Sequence, residues 1–102
     1  MSRYAYILVF DRDDFLDYKT IHDRIISIDS LINWFHYIKS SYILITTDPT
    51  ANQLAKKIQP IFPRKYYRLI AVDLKNRQGW LPPKAWEWIL KQVDKVQNDN
   101  EV

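Results

Sequence analysis

Tyr4-Ala5-Tyr6-Ile7-Leu8-Val9-Phe10-Asp11 decides the fold: seven consecutive apolar or β-favouring residues, closed abruptly by a carboxylate. In an extended strand Tyr4, Tyr6, Leu8 and Phe10 fall on one side, and Ala5, Ile7 and Val9 on the other. Both sides are apolar, so the stretch reads as the innermost strand of a sheet covered on both faces. Asp11 stands where the chain leaves that sheet. A charge there stays in water yet is held rigidly by the strand behind it, which makes it the first candidate for chemistry.

Downstream, Arg12-Asp13-Asp14 forms a turn rich in capping residues. Tyr18, Ile21, His22, Ile25 and Ile26 then recur at helical spacing, predicting a first helix. Residues 31–38 are β-branched and aromatic and read as a second strand. After the polar turn Lys39-Ser40-Ser41, residues 42–47 read as a third strand, antiparallel to the second. Thr50-Ala51-Asn52-Gln53 has capping-box form and opens a second helix with Leu54, Ala55, Ile58 and Ile61 as its stripe; Pro60 and Pro63 end it. Residues 64–74 read as a fourth strand, apolar at its centre on both sides. Pro82-Pro83 leads into a third helix with the stripe Trp86, Ile89, Leu90, Val93 and Val96. Residues 1–96 form one domain, and 97–102 a loose polar tail.

Strand, helix, strand, strand, helix, strand and a closing helix predict an α+β, ferredoxin-like βαββαβ sandwich. Right-handed crossovers place strand one between strands three and four. Strands one and three are expected to run parallel. That would bring Asp11, Thr46-Thr47, Arg64-Lys65 and the N-termini of helices one and two to one rim. Two helices cover one face only, so either the third helix or a second copy of the chain covers the other; dimerisation would supply buried area that one small core cannot, and an open edge strand invites a partner.

Composition narrows the chemistry. With no cysteine there is no disulfide framework, thiolate zinc site or cysteine nucleophile, and a single glycine, Gly79, excludes the glycine-rich phosphate loops. No apolar run approaches the ~18 residues of a membrane span, and the N-terminus lacks the plan of a signal peptide, so a soluble cytoplasmic protein without membrane partners is expected. Charge is uneven. Residues 1–55 carry five Lys/Arg against seven Asp, a balance of −2, and residues 56–102 carry ten against five acids, a balance of +5. Lys56, Lys57, Arg64, Lys65, Arg68, Lys75 and Arg77 gather in one segment with a single acid, Asp73, as an electrostatic footprint for phosphates or simply a solvated basic surface.

Asp11 alone is a poor metal ligand set, but two copies facing each other across a two-fold axis could hold one magnesium ion that activates water against a phosphodiester. The competing reading is a turn residue accepting backbone amides. Asp13 and Asp14 read as helix caps, and His22 as a packing residue on the apolar side of the first helix. His36 lies among aromatics in the second strand, with no second histidine two positions away. The paired-histidine metal motif of single-strand nucleases and transposases is therefore missing from that strand. The third strand lacks the glycine and basic residue of RNA-recognition domains.

Tyr6 to Asp11, Trp34 to His36, Ser41 to Thr47, Leu69 to Val72, Gly79-Trp80-Leu81-Pro82 and Ala85-Trp86-Glu87-Trp88-Ile89 together resemble the small CRISPR-adaptation protein superfamily, which is ferredoxin-like and VapD-related. The nearest look is to its stand-alone, SinR-like members, over about residues 4–90. The resemblance implies a homodimer with facing sheets and places Asp11 where relatives carry a metal-associated aspartate. It implies a family of nucleases, toxin-like RNases and structural nucleic-acid binders of host–phage defence. The acidic loop with Asp13, Asp14 and Asp17 departs from what an approaching phosphate backbone prefers. The leading expectation is a small dimeric nucleic-acid-associated protein binding DNA or RNA through its basic segment. A magnesium-dependent endonuclease using paired Asp11 and a protein-interaction module without nucleic acid are the alternatives.

Overall fold

The computed structural model describes residues 2–11, 17–36, 40–63, 65–75, 83–93 and 95–96. The expected caps Asp13 and Asp14, the basic residues Arg64 and Arg77, the Gly79-Trp80-Leu81-Pro82 element and the polar tail lie outside them. Four strands, β1 (Tyr4–Phe10), β2 (Leu31–Phe35), β3 (Ser41–Thr46) and β4 (Tyr67–Ala71), form one sheet in the order β2-β3-β1-β4. The helices are α1 (Tyr18–Ile26), α2 (Ala51–Ile58), continued by a 3-10 turn at Gln59–Ile61, and α3 (Pro83–Val93). The fold is α+β, with β1 in the interior of the sheet as its sequence requires.

One topological expectation is overturned. β1 pairs with β3 antiparallel, Tyr4 opposite Thr46 and Val9 opposite Ser41. The reason is directional: the crossover through α1 returns β2 parallel to β1, and the β2–β3 hairpin then reverses the chain, so β3 must oppose β1. Every neighbouring pair in the sheet is antiparallel. Thr46 and Thr47 therefore leave the sheet at the end where β1 begins, and α2 starts there, away from Asp11.

One face of β1 is dry. Tyr6, Leu8 and Phe10 pack with Tyr42 and Leu44 under Ile21 and Ile25 of α1, Leu54 and Ile58 of α2, and Phe62. Asp17 caps α1, its carboxylate accepting from the Thr20 amide at 3.2 Å and the Thr20 hydroxyl at 2.7 Å. Thr50 caps α2 by accepting from the Gln53 amide, while its hydroxyl donates to Gln53 Oε1. This is a variant of the expected capping box, in which the Gln53 side chain returns to the Thr50 hydroxyl.

The opposite face is only partly covered, contrary to the expectation from both β1 and β4. α3 lies over it where β2, β3 and the start of β1 meet: Ala5, Ile45, Leu74 and Val96 are buried there, with Ile43, Val72, Trp88 and Val93 packed around them. Towards β4 the cover runs out, leaving Val9 40% and Ile70 49% exposed. The stripe of α3 also differs from expectation. Ala85, Ile89 and Gln92 face inward while Leu90 faces water, because the helix packs through the spacing 85, 89, 92.

A β-bulge interrupts β2 between Leu31 and Asn33. Asn33 Oδ1 accepts from the Trp34 amide at 2.8 Å and from Trp88 Nε1 at 3.3 Å. One amide oxygen thus ties the irregular edge of the sheet to α3, and Phe35 packs on the same tryptophan with the ring centres 5.5 Å apart and the planes tilted by 37°.

Candidate functional site

Asp11 directly follows β1 and is exposed, with its amide donating to the Tyr66 carbonyl at 3.2 Å. Phe10 donates to the Ser40 carbonyl at 3.0 Å, so the rim that holds Asp11 is built from residues preceding β3 and β4. The hydroxyls of Thr46 and Thr47 are at the other end of the sheet. Among the described residues no three His, Cys, Asp or Glu side chains come together as a metal-holding group.

The basic segment divides among several places. Lys56, in the last turn of α2, and Lys65, ahead of β4, flank a groove between α2 and the β4 edge. Its two connected hollows, of about 640 and 460 Å³, share Asn52, Ala55, Gln59 and Tyr67 as walls. The Tyr67 hydroxyl donates to Gln59 Oε1 at 2.8 Å and fixes the far wall. Tyr66, also on this groove, is 84% exposed, a large aromatic ring left in water. Arg68 alternates with Tyr67 and Leu69 and so lies on the opposite face of the sheet, opposite Val9. Lys75 follows β4, its amide donating to Asp73 Oδ1 at 2.8 Å.

Lys57 is committed to structure. Its ammonium pairs with Asp29 at 3.0 Å and with Asp48 at 3.1 Å. The Asp48 carboxylate is nearly buried, accepts from the Ser30 hydroxyl, and has its own amide bonded to Thr46 Oγ1 at 3.1 Å. The Lys57 ammonium, by hydrogen bond and charge, holds the exposed Asp29 carboxyl below its ordinary value. This network ties the loop after β3 to α2 and to the turn before β2.

The structure also brings together the only two histidines of the sequence. His22 Nδ1 meets the Tyr42 hydroxyl at 2.6 Å, and His36 Nδ1 meets the Ser41 carbonyl at 3.2 Å. The His36 ring stacks on Tyr42 at 4.2 Å and 13°, and the two imidazole centres are 5.9 Å apart. Trp34 closes edge-on to His22 at 5.0 Å. Both histidines line a cavity of about 330 Å³ with Phe10, Tyr18 and Tyr42. Burial pushes the Tyr42 phenol up to about 12, so it keeps its proton throughout the neutral range.

Sequence reasoning looked for a partner of His36 along its own strand and missed this pair. The available signal was spatial: His36 shares the face of Trp34 by the two-residue period, and His22 is on the side of α1 that packs on that face. No protein-family model, no curated protein and no solved structure matches the chain.

Proposed function

We propose that this chain is a small nucleic-acid-binding protein that takes a single strand along the groove between α2 and β4. The observation that supports it is the placing of Lys56 and Lys65 on either side of a groove from which Tyr66 projects into water. An ammonium on each flank neutralises phosphates, the amides of Asn52 and Gln59 offer donors, and an exposed tyrosine ring gives a base a surface to stack on. The element order and the sheet order β2-β3-β1-β4 agree with a ferredoxin-like reading and with the resemblance to the small CRISPR-adaptation proteins. In that reading a second copy covers Val9 and Ile70, and Val9→Glu abolishes the dimer in light scattering.

Anisotropy of a labelled ~12-nucleotide single strand, titrated with protein from 50 to 300 mM salt, tests the binding. Binding should weaken with salt, with a log–log slope of about −1.4 for two phosphates on a single strand. Lys56→Glu with Lys65→Glu should weaken it at least tenfold, and Tyr66→Ala by about five- to hundredfold. Salt-insensitive binding, no binding at 50 mM salt, or variants that bind as the parent does would each overturn the reading.

A further inference from the structure

We propose that His22 and His36 form a binding site for one imidazole-preferring divalent ion, zinc, nickel or copper, at the cavity they share with Tyr42. This goes beyond the nucleic-acid reading and does not depend on it, since the cavity lies against α1 and the β2–β3 hairpin, apart from the groove at α2.

The first support is how the rings are held. A metal-bound histidine characteristically hands its second ring nitrogen to a carbonyl, carboxylate or other fixed partner, which sets the tautomer and aims the ligating nitrogen. His36 has that arrangement, and His22 has a fixed polar partner on the same ring nitrogen. The Ser41 carbonyl can only accept, so His36 carries its proton on Nδ1 and, when neutral, presents the lone pair of Nε2. His22 Nδ1 meets the Tyr42 hydroxyl, which can donate or accept; an ion on Nε2 requires the proton on Nδ1 with the hydroxyl accepting it, an arrangement this contact accommodates.

The second support is spacing. With a metal–nitrogen bond of about 2.1 Å and roughly 1.1 Å more to the ring centre, two imidazoles on one ion have centres about 5.2 Å apart at the tetrahedral angle and about 6.4 Å apart when collinear. The observed 5.9 Å lies between the two, so the rings close by a fraction of an ångström to take a tetrahedral ion. The rings are also stiffly mounted, His36 on Tyr42 and His22 between Trp34 and Tyr42, so little side-chain freedom remains to be lost on binding.

Two imidazoles and no third His, Cys, Asp or Glu among the described residues make an open site, whose other positions go to water or to a donor atom of a bound molecule. Imidazole nitrogen selects the late first-row ions over magnesium and calcium, which prefer oxygen. Lys19 stands at the mouth with its ammonium paired to Asp23 at 2.9 Å, so this cation is held by a counter-charge.

Calorimetric titration of the untagged full chain with zinc chloride tests the proposal. One ion should bind per chain, His22→Gln and His36→Gln should each weaken binding at least tenfold, and Tyr42→Phe, which touches only the support of His22, by about tenfold. The variants' far-ultraviolet dichroism separates lost ligation from lost fold. If a glutamine variant unfolds, His36→Cys takes its place: with cobalt it should show the thiolate-to-metal absorption band only if position 36 ligates. Absence of zinc binding, folded glutamine variants that bind as the parent does, or a cobalt complex of His36→Cys without that band would overturn the assignment.

Discussion

The Tyr6 hydroxyl donates to the backbone carbonyl of Asp48 at 2.7 Å, joining the interior strand to the loop after β3 across 42 residues of chain. Both residues are buried, so water cannot replace the donor if it is removed. Tyr6→Phe keeps the ring and strips the hydroxyl, and should cost about 1–3 kcal/mol in urea unfolding, the penalty of an orphaned buried acceptor.

Acid should destabilise the protein in a defined window. Hydrogen bonds from Thr20 hold the Asp17 carboxyl below its ordinary value of 3.8, and Lys57 does the same for Asp29. A depressed folded value means stability that is present in full above the unfolded value and lost as pH falls through the folded one. Urea midpoints should hold steady down to about pH 4 and drop below it, and Asp29→Asn should flatten that drop.

Tyr42 sets a limit at the alkaline end. Its phenol is raised from 10.0 to about 12 by burial, so the stability tied to its bound proton is present below pH 10 and lost as pH rises towards 12. Absorbance titration near 295 nm should show Tyr42 ionising late, in step with unfolding, and Tyr42→Phe should lower the late amplitude by one tyrosine.

Two aliphatic residues on neighbouring strands should respond very differently to truncation. Leu8 is wholly buried in β1 and Ile70 is half exposed in β4. Leu8→Ala should lose about 2–5 kcal/mol through lost burial and the cavity left behind. At protein concentrations low enough to keep the chain monomeric, Ile70→Ala should stay within about 0.5 kcal/mol, as surface replacements do.

Gln92 is 3% exposed on the inner side of α3, and its Oε1 has no hydrogen-bond partner among the described residues. An unpaired buried oxygen carries a desolvation cost that an isosteric apolar side chain does not. Gln92→Met should therefore raise stability by about 1 kcal/mol, read as a higher midpoint of thermal unfolding.

Local rules read the local structure well. Alternation in residues 4–10 located β1, spacing located α1, and Thr50 marked the start of α2, because each depends on neighbours within a few residues. The strand order followed from crossover handedness, but the direction of β3 against β1 was misjudged, and with it the rim assigned to Thr46 and Thr47. The positions of Lys56 and Lys65 on one groove, Lys57 in an ion pair and Arg68 on the far face depend on tertiary packing that charge counting along the chain does not see. The His22–His36 pair was hidden for the same reason, being joined across 14 residues of sequence by packing on Tyr42.

The bulge at Asn33 limits how this sheet can grow. With β2 kinked out of register and tied to α3 through Trp88, that border cannot offer a regular ladder to an incoming strand. Among the described residues nothing pairs with the outer side of β4, which is then the border on which a regular strand can be added. A sheet with one receptive border cannot stack head to tail into a filament. Two copies meeting edge to edge would have to join β4 to β4 about a two-fold axis, which closes the assembly at two.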